Sequence, residues 1–280
     1  MLPKRLLGKT GFSVSIYSLG GESTIESTDR TDEAEAIINR ALDLGVNYID
    51  TAPAYNLGGS ESNIGRVMKR RREEVFLATK TGSRSYSGTM RQVEKSLSRL
   101  QTDYLNLYQL HDMQTEDDLK KVLAEDGALK ALEELKSQGV IRHTGITGHK
   151  DPKLLLRVIK EYPFDCILFS LNAGDVHYRS FKEIVLPVAV SQNLGIIAMK
   201  VTAVGRIFNK NGLATMEQAL GYTLSHPVST AIVGITNLAE VEENVRIAAE
   251  FKPYTEEELR KLERLTEPYA EEANFFKYHW

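Results

Sequence analysis

The feature that most restricts how this chain can fold is a repeated alternation along its length. Short apolar runs at 14–19, 46–50, 75–79, 104–110, 144–147, 166–171, 195–199 and 231–234 are separated by stretches that carry the apolar stripe and charged face of amphipathic helices. Eight strands with helices between them give the count of a (β/α)8 TIM barrel, an α/β fold in which all strand C-terminal ends open on one face. A length of 280 residues at 42% hydrophobic content suits one barrel or two smaller domains. The unbroken rhythm, without linker or low-complexity tract, favours one domain over 1–280.

Local signals fill in the frame. Residues 4–13 read as a hairpin, with Gly8 and Gly11 in the turn, that plugs or precedes the barrel. The first barrel strand, 14–19, runs into Gly20 and Gly21, where missing side chains let another backbone or a ligand come close. Thr31 caps a helix that Gly45 ends, and Ser60 or Ser62 opens one over 64–69. Further helices are expected at 89–100, at 116–136 with Asp126 and Gly127 as its weak point, and at 153–162, 181–192 and 216–226. Two more, 240–251 and 256–266, follow the last strand and precede an aromatic tail, Phe275 to Trp280.

Three successive strands end in polar side chains of complementary chemistry. The second closes on Asp50 with Tyr55 one turn beyond, the third runs into Lys80, and the fourth into His111. Singly, each has an ordinary use: a turn cap, a loop tyrosine, a solvated strand end, a core histidine. Together on one face they form a proton donor. A tyrosine has an unperturbed pKa of about 10, and a nearby ammonium favours the phenolate. Lys80 is thus expected to depress Tyr55, Asp50 to keep Lys80 charged, and His111 to hydrogen-bond the reacting oxygen. Nothing in this group supplies a hydride, so a reducing equivalent must come from a cofactor.

Other chemistries lack their signatures. A net charge of -3 and a single dense basic run, Lys69 to Arg72 answered by Glu73 and Glu74, argue against a nucleic-acid footprint. The lone Cys166 reads as a small core residue and forms no internal disulfide. No metal-ligand spacing, Walker-type loop or G-x-S-x-G elbow occurs. The N-terminus has no signal-peptide run and no segment reaches the ~18 apolar residues of a membrane span, so a cytoplasmic, soluble protein is expected.

On 44–52 with Tyr55, 77–80, 104–111, 145–147 and 234–244, the chain resembles the aldo-keto reductases along almost its full length. The resemblance implies Asp50, Tyr55, Lys80 and His111 as a catalytic tetrad for NAD(P)H-dependent reduction of aldehydes or ketones, an alcohol dehydrogenase-type activity. It implies NADPH as cofactor, with NADH not excluded. It also leaves open a nucleotide-sensing regulatory subunit with little turnover, which the intact tetrad disfavours, while the single cysteine excludes relatives with an iron-sulfur module.

Carried over position by position, the cofactor side departs from the best-known relatives. Thr147 and Gly148 stand where many have Ser-Asn, and Leu168 where a strand-six Gln binds the carboxamide, with Asn172 taking part of that work. Met199 replaces the tyrosine that stacks on nicotinamide, and Lys200 follows as a pyrophosphate ligand. Gly234, Ile235 and Thr236 form a backbone phosphate site, with Gly234 and Glu240 at positions where NADPH-preferring members use Lys and Arg. Glu243 and Asn244 match adenine-contacting positions, and Arg206 is an additional cation. Gly20, Gly21 and Asp50 complete the cofactor side. The substrate depends on loops such as 84–88 and 112–115 and on the tail, which either walls the pocket or packs under the barrel or against a second subunit. The sequence leaves the oligomeric state open.

Overall fold

The computed structural model describes residues 1–278, so His279 and Trp280 of the predicted tail lie outside the described residues. Strands β1 (Lys4–Leu6) and β2 (Ser13–Ser15) pair antiparallel as the N-terminal hairpin. The barrel strands are β3 (Tyr17–Ser23), β4 (Tyr48–Asp50), β5 (Phe76–Thr81), β6 (Leu105–Leu110), β7 (Ile141–Gly148), β8 (Cys166–Ser170), β9 (Gly195–Met199) and β10 (Thr230–Ile235). They close in sequence order, with β10 returning to β3, and every pairing is parallel. This is the (β/α)8 fold expected from the alternation.

The helices are α1 (Thr31–Asp43), α2 (Gly59–Arg71), α3 (Tyr86–Leu100), α4 (Glu116–Leu123), α5 (Ala128–Ser137), α6 (Pro152–Glu161), α7 (Phe181–Ile184), α8 (Leu186–Ser191), α9 (Met216–Leu224), α10 (Leu238–Glu250), α11 (Glu256–Thr266), α12 (Ala270–Ala273) and α13 (Phe275–Tyr278). Among the described residues, no helix is long and apolar enough to cross a membrane. In α6 the stripe is plain: Leu154, Leu155, Val158 and Ile159 are buried against the sheet. Each such side chain contributes roughly 1.5–3 kcal/mol.

Several boundaries differ from expectation for identifiable reasons. Val14 belongs to the hairpin, opposite Arg5, so the first barrel strand starts at Tyr17 and continues through Gly20 and Gly21 to Ser23. The segment 116–136 divides at Gly127, which is the N-cap of α5. The expected helix 181–192 is two short ones, because Pro187 supplies no N–H and the chain resets at Val185. Helix α1 begins at Thr31 itself, without a side-chain cap.

Period-two alternation along the strands sorts side chains into two compartments. Val14, Tyr48, Phe76, Ala78, Leu107, Cys166, Leu168, Ile197 and Ile232 fill the barrel interior, while Leu19, Ile49, Leu77, Tyr108, Ile146, Ile167 and Val233 pack outward against the helices. Leu7 of the hairpin joins the interior cluster, so the hairpin plugs the N-terminal end. The basic run is consumed at the surface: Arg70 pairs with Glu35 at 2.8 Å, Arg71 with Glu74 at 2.7 Å, and Arg72 stacks 3.9 Å over Tyr104.

Candidate active site

The interior alternation decides what reaches the open face. Tyr48 and Asp50 point inward from β4, Phe76, Ala78 and Lys80 from β5, and Leu107 and Gln109 from β6, so that apolar side chains fill the barrel and polar ones cap it. Lys80 and Asp50 are both almost fully buried and ion-paired. The Lys80 Nζ also donates to the Thr51 carbonyl at 2.8 Å and to the Tyr55 hydroxyl at 3.2 Å. Tyr55 sits just past β4 on a turn whose next residues, Asn56 and Leu57, adopt positive φ of 44° and 53°. Asn56 Nδ2 anchors that turn to the Glu26 carbonyl at 2.9 Å.

His111 follows β6, and its N–H donates to the Thr81 carbonyl at 2.9 Å. Its ring centroid lies 6.0 Å from that of Tyr55, nearly perpendicular at 86°. A cleft of about 220 Å³ opens over these groups, lined by Glu22, Tyr55, Lys80, His111, Asp112, Gln114, Thr147, His149, Met199 and Lys200. A larger hollow of about 460 Å³ beside the hairpin, lined by Arg5, Gly8 and Asn193 among others, lies at the opposite end and shares none of these residues.

The electrostatics correct one expectation. Burial pushes the Tyr55 hydroxyl above its ordinary value; the Lys80 ammonium pulls it down and is outweighed, and Glu22 and Asp50 add to the rise. Tyr55 is therefore a fully protonated phenol at neutral pH rather than a depressed one. Burial also opposes the charge on Lys80, yet Asp50 and Tyr55 more than reverse this and its pKa rises. His111 is held well below its ordinary value, first by burial and then by Lys80, so it is neutral at pH 7.

Several supporting residues escaped the sequence reading. Gln109 Nε2 donates to the second carboxylate oxygen of Asp50 at 2.9 Å, joined by the Tyr48 hydroxyl at 3.4 Å. Arg84, expected only as a loop residue, donates to the carbonyls of His111 and Asp112, both at 2.8 Å, and pairs with Asp118. Glu22 also reaches the cleft, because β3 runs past Gly20 and Gly21. Ser170 continues the inward face of Cys166 and Leu168, and its buried hydroxyl has no hydrogen-bond partner among the described residues. The signal for Gln109, Glu22 and Ser170 was the inward parity of their strands.

The cofactor-side candidates separate. Met199, Lys200 and Thr147 line the cleft with Tyr55. Gly20 and Gly21 make room for the chain itself: a Cβ would lie 3.2 Å from the Gly234 nitrogen at the first and 2.5 Å from Ser60 Oγ at the second. Leu168 is part of the buried interior, and Asn172 is committed to backbone, donating to the Lys200 carbonyl at 2.9 Å and accepting from the Gly174 N–H at 2.8 Å. It therefore supports Lys200 rather than facing the cleft. Gly234 is exposed, whereas the Ile235 side chain is buried in the outer layer. Glu240 folds back on the start of α10, accepting from the Thr236 N–H at 2.7 Å and from the Thr236 hydroxyl. Glu243 is exposed, Asn244 is buried beside the Tyr17 hydroxyl, and Arg206 lies 4.0 Å over the Phe275 ring.

The described part of the tail lies on the open face. Phe276 is buried with its ring 6.0 Å from His149, and Lys277 Nζ bonds Asp175 Oδ1 at 2.6 Å and the Tyr178 carbonyl at 2.8 Å. His149, Asp175 and Tyr178 all follow strand C-terminal ends, so these residues do not pack under the barrel.

Fold and site together define a (β/α)8 barrel with a buried carboxylate and ammonium beside a cleft-facing phenol and imidazole, all gathered at its C-terminal mouth. A sequence model of the aldo/keto reductase family matches residues 17–215, and the chain belongs to that family. It is similar to the uncharacterized oxidoreductase YqkF of Bacillus subtilis, at 30% identity over 94% of this chain and 96% of that protein. It is also similar to aldo-keto reductase yakc of Schizosaccharomyces pombe, whose name specifies NADP(+), at 31% identity over 64% of this chain and 53% of that protein. Among solved structures, the holo form of aldo-keto reductase AKR11C1 from Bacillus halodurans superposes with a TM-score of 0.80 at 29% identity, covering 95% of this chain and 96% of that one.

Proposed function

We propose that this chain is a nicotinamide-dependent carbonyl reductase that converts small aldehydes or ketones to alcohols, with Tyr55 as general acid. The observation that carries the reading is the chain of contacts from Asp50 through Lys80 Nζ to the Tyr55 hydroxyl, 3.2 Å from that ammonium and facing the cleft beside His111.

The donors at the mouth fit a nicotinamide cofactor at its reactive end. Met199 presents a polarizable surface for a flat ring, Lys200 a cation for pyrophosphate, and the Thr147 hydroxyl a candidate partner for a carboxamide. The adenosine end fits a 2′-phosphate less well, since Glu240 already accepts from the Thr236 N–H and hydroxyl. NADPH is the proposed cofactor, in line with the name of yakc, with NADH accepted more readily than in relatives that carry Arg or Lys at that position. When bound, the reduced nicotinamide supplies the hydride that reaches the carbonyl carbon.

The chain's own residues handle the proton. Neutral His111 orients the carbonyl oxygen toward Tyr55. As negative charge develops on that oxygen, Tyr55 donates its proton, and the phenolate left behind faces the Lys80 ammonium. Asp50 holds Lys80 charged, and Gln109 and Tyr48 hold Asp50, so the ammonium is preorganised before the step. The phenolate recovers a proton from solvent through the open cleft. The raised Tyr55 pKa keeps the acid loaded at neutral pH, and Lys80 lowers the cost of spending that proton.

The test is oxidation of NADPH and of NADH, followed at 340 nm, over a panel of aldehydes and ketones. Turnover with the reduced cofactor is expected. Tight cofactor binding without turnover on any carbonyl would replace this reading with that of a nucleotide-sensing subunit.

A further inference from the structure

The first turn of α2 buries a charge that the proton transfer does not use. Glu61 is fully buried, and its two carboxylate oxygens bond to two other elements of the barrel. Oε1 accepts from the Thr79 hydroxyl at 2.8 Å, and Oε2 accepts at 3.1 Å from Nη1 of Arg99 in the last turn of α3. Thr79 is the buried residue immediately before Lys80 on β5. The Arg99 guanidinium lies against the turn that carries Tyr55: Gly58 has a φ of 95°, and a Cβ there would fall 2.4 Å from Arg99 Cζ. Beside Glu61, the Ser60 hydroxyl shares a 2.7 Å hydrogen bond with that of Thr51, whose carbonyl accepts from Lys80 Nζ at 2.8 Å.

Stability alone does not explain a buried acid at this place. The helix dipole favours a carboxylate in the first turn, but an exposed one serves that purpose as well. Burying an ion pair gains little over apolar side chains of similar volume; what it can contribute instead is a fixed geometry. The geometry within reach of Glu61 is that between Lys80 and Tyr55. Their 3.2 Å contact is made from two different elements, a strand and a turn in which Asn56, Leu57 and Gly58 are all left-handed. Charge stabilisation falls with distance and a hydrogen bond is short and directional, so a slip of about 1 Å between those elements forfeits much of the contact.

We propose that Glu61, together with Arg99, is a positioning residue for the proton transfer. Through Thr79 it ties down the strand that carries Lys80, through Arg99 it supports the turn that presents Tyr55, and it thereby sets the distance from ammonium to phenol. Neither Glu61 nor Arg99 lines the cleft. The inference rests on the reductase reading and adds to it the pair that holds the acid in place.

The experiment measures kcat and KM for propanal reduction, NADPH affinity by fluorescence titration, the melting temperature and the pH profile of propanol oxidation, with rates taken where circular dichroism shows each variant folded. In Glu61→Ala, kcat is expected to fall by about tenfold to a hundredfold while KM and cofactor affinity stay within about threefold. The pH limb of alcohol oxidation is expected to move upward, because a more distant ammonium favours the phenolate less. Arg99→Ala is expected to move both readouts in the same direction. Glu61→Gln keeps an acceptor for both donors and is expected to recover kcat to within about threefold of wild type. None of these variants alters the charged groups around the Tyr55 oxygen, Lys80, Asp50 and Glu22, or His111 beside it, so a moved limb reports distance. A merely structural role lowers the melting temperature and leaves kcat and the limb of the folded variants at wild-type values, and that result overturns the proposal. A loss confined to KM or to cofactor affinity overturns it too, as does a Glu61→Gln enzyme as impaired as Glu61→Ala. If Glu61→Ala fails to fold, Arg99→Ala and Thr79→Val decide by the same two readouts, since the Arg99 side chain is 32% exposed and valine keeps the shape of threonine. Wild-type turnover matched by the variants removes this inference alone; no wild-type turnover on any carbonyl removes the reductase reading with it.

Discussion

Replacing Lys80 with methionine keeps the length of the side chain and removes its charge, and the structure sets two separate consequences. The first is chemical. With Nζ 3.2 Å from the Tyr55 oxygen, the ammonium stabilises a developing phenolate by about 1.3 kcal/mol at the dielectric of water and about 5 kcal/mol at an effective dielectric near 20. The cleft is open to solvent on one side, so the loss in kcat for reduction is expected between about tenfold and a few thousandfold. The second is structural. Asp50 would keep Gln109 and Tyr48 as donors but lose its cation, and stranding a buried carboxylate costs roughly 3–5 kcal/mol. Single-turnover reduction and thermal denaturation read the two apart, with circular dichroism fixing a temperature at which the variant is folded.

The pH dependence follows with definite signs. Removing the cation favours the protonated phenol, so in alcohol oxidation, which needs the phenolate, the pH limb of Lys80→Met moves upward. In the wild-type protein Lys80 is raised on folding, so its contribution to stability is complete below its unfolded value of about 10.4 and is lost as pH climbs through the higher folded value. A folded Lys80→Met enzyme with kcat within about threefold of wild type would refute the coupling between Lys80 and Tyr55.

Tyr55→Phe keeps the ring and loses only the proton; kcat is expected to drop by about 10²–10⁴ while cofactor affinity, read by fluorescence titration, stays within about twofold, and retained turnover would remove Tyr55 as the acid. Glu240→Arg exchanges repulsion for attraction at the α10 start, where one unit charge at 4 Å is worth about 1 kcal/mol in water, so NADPH is expected to tighten about tenfold with NADH almost unmoved. Equal movement of both would show that the 2′-phosphate lies elsewhere. Lys277→Met leaves Asp175 with Ser180 Oγ and the Lys182 N–H but without its buried cation, and a fall in Tm of about 10 °C is expected. Because Phe276 backs His149 on the cleft wall, KM is expected to rise in the same variant at temperatures where it remains folded. Unaltered melting would show that the tail is not held by this pair.

The eight-strand alternation, the strand-end positions of Asp50 and Lys80, and the aldo/keto reductase motifs around Tyr55 and His111 were all legible in the sequence. Strand periodicity and strand-end polarity are local properties, and a parallel barrel brings every strand end to one face whatever its distance along the chain. Tertiary structure alone decided the rest. The sign of the Tyr55 shift depends on how far burial outweighs one ammonium at 3.2 Å, a sum over surroundings that no motif contains. The reach of Glu22 depended on β3 running two residues past its glycines, which backbone and Ser60 crowd from both sides. Arg84 became a clamp on His111, Asn172 a brace for Lys200, and Glu240 an occupant of the site where an anion was expected, because each found a partner far along the chain or folded back on its own helix. Residue type supplies the chemistry of a side chain, but a hydrogen bond is short and directional, so only the folded distances determine which partner that chemistry meets.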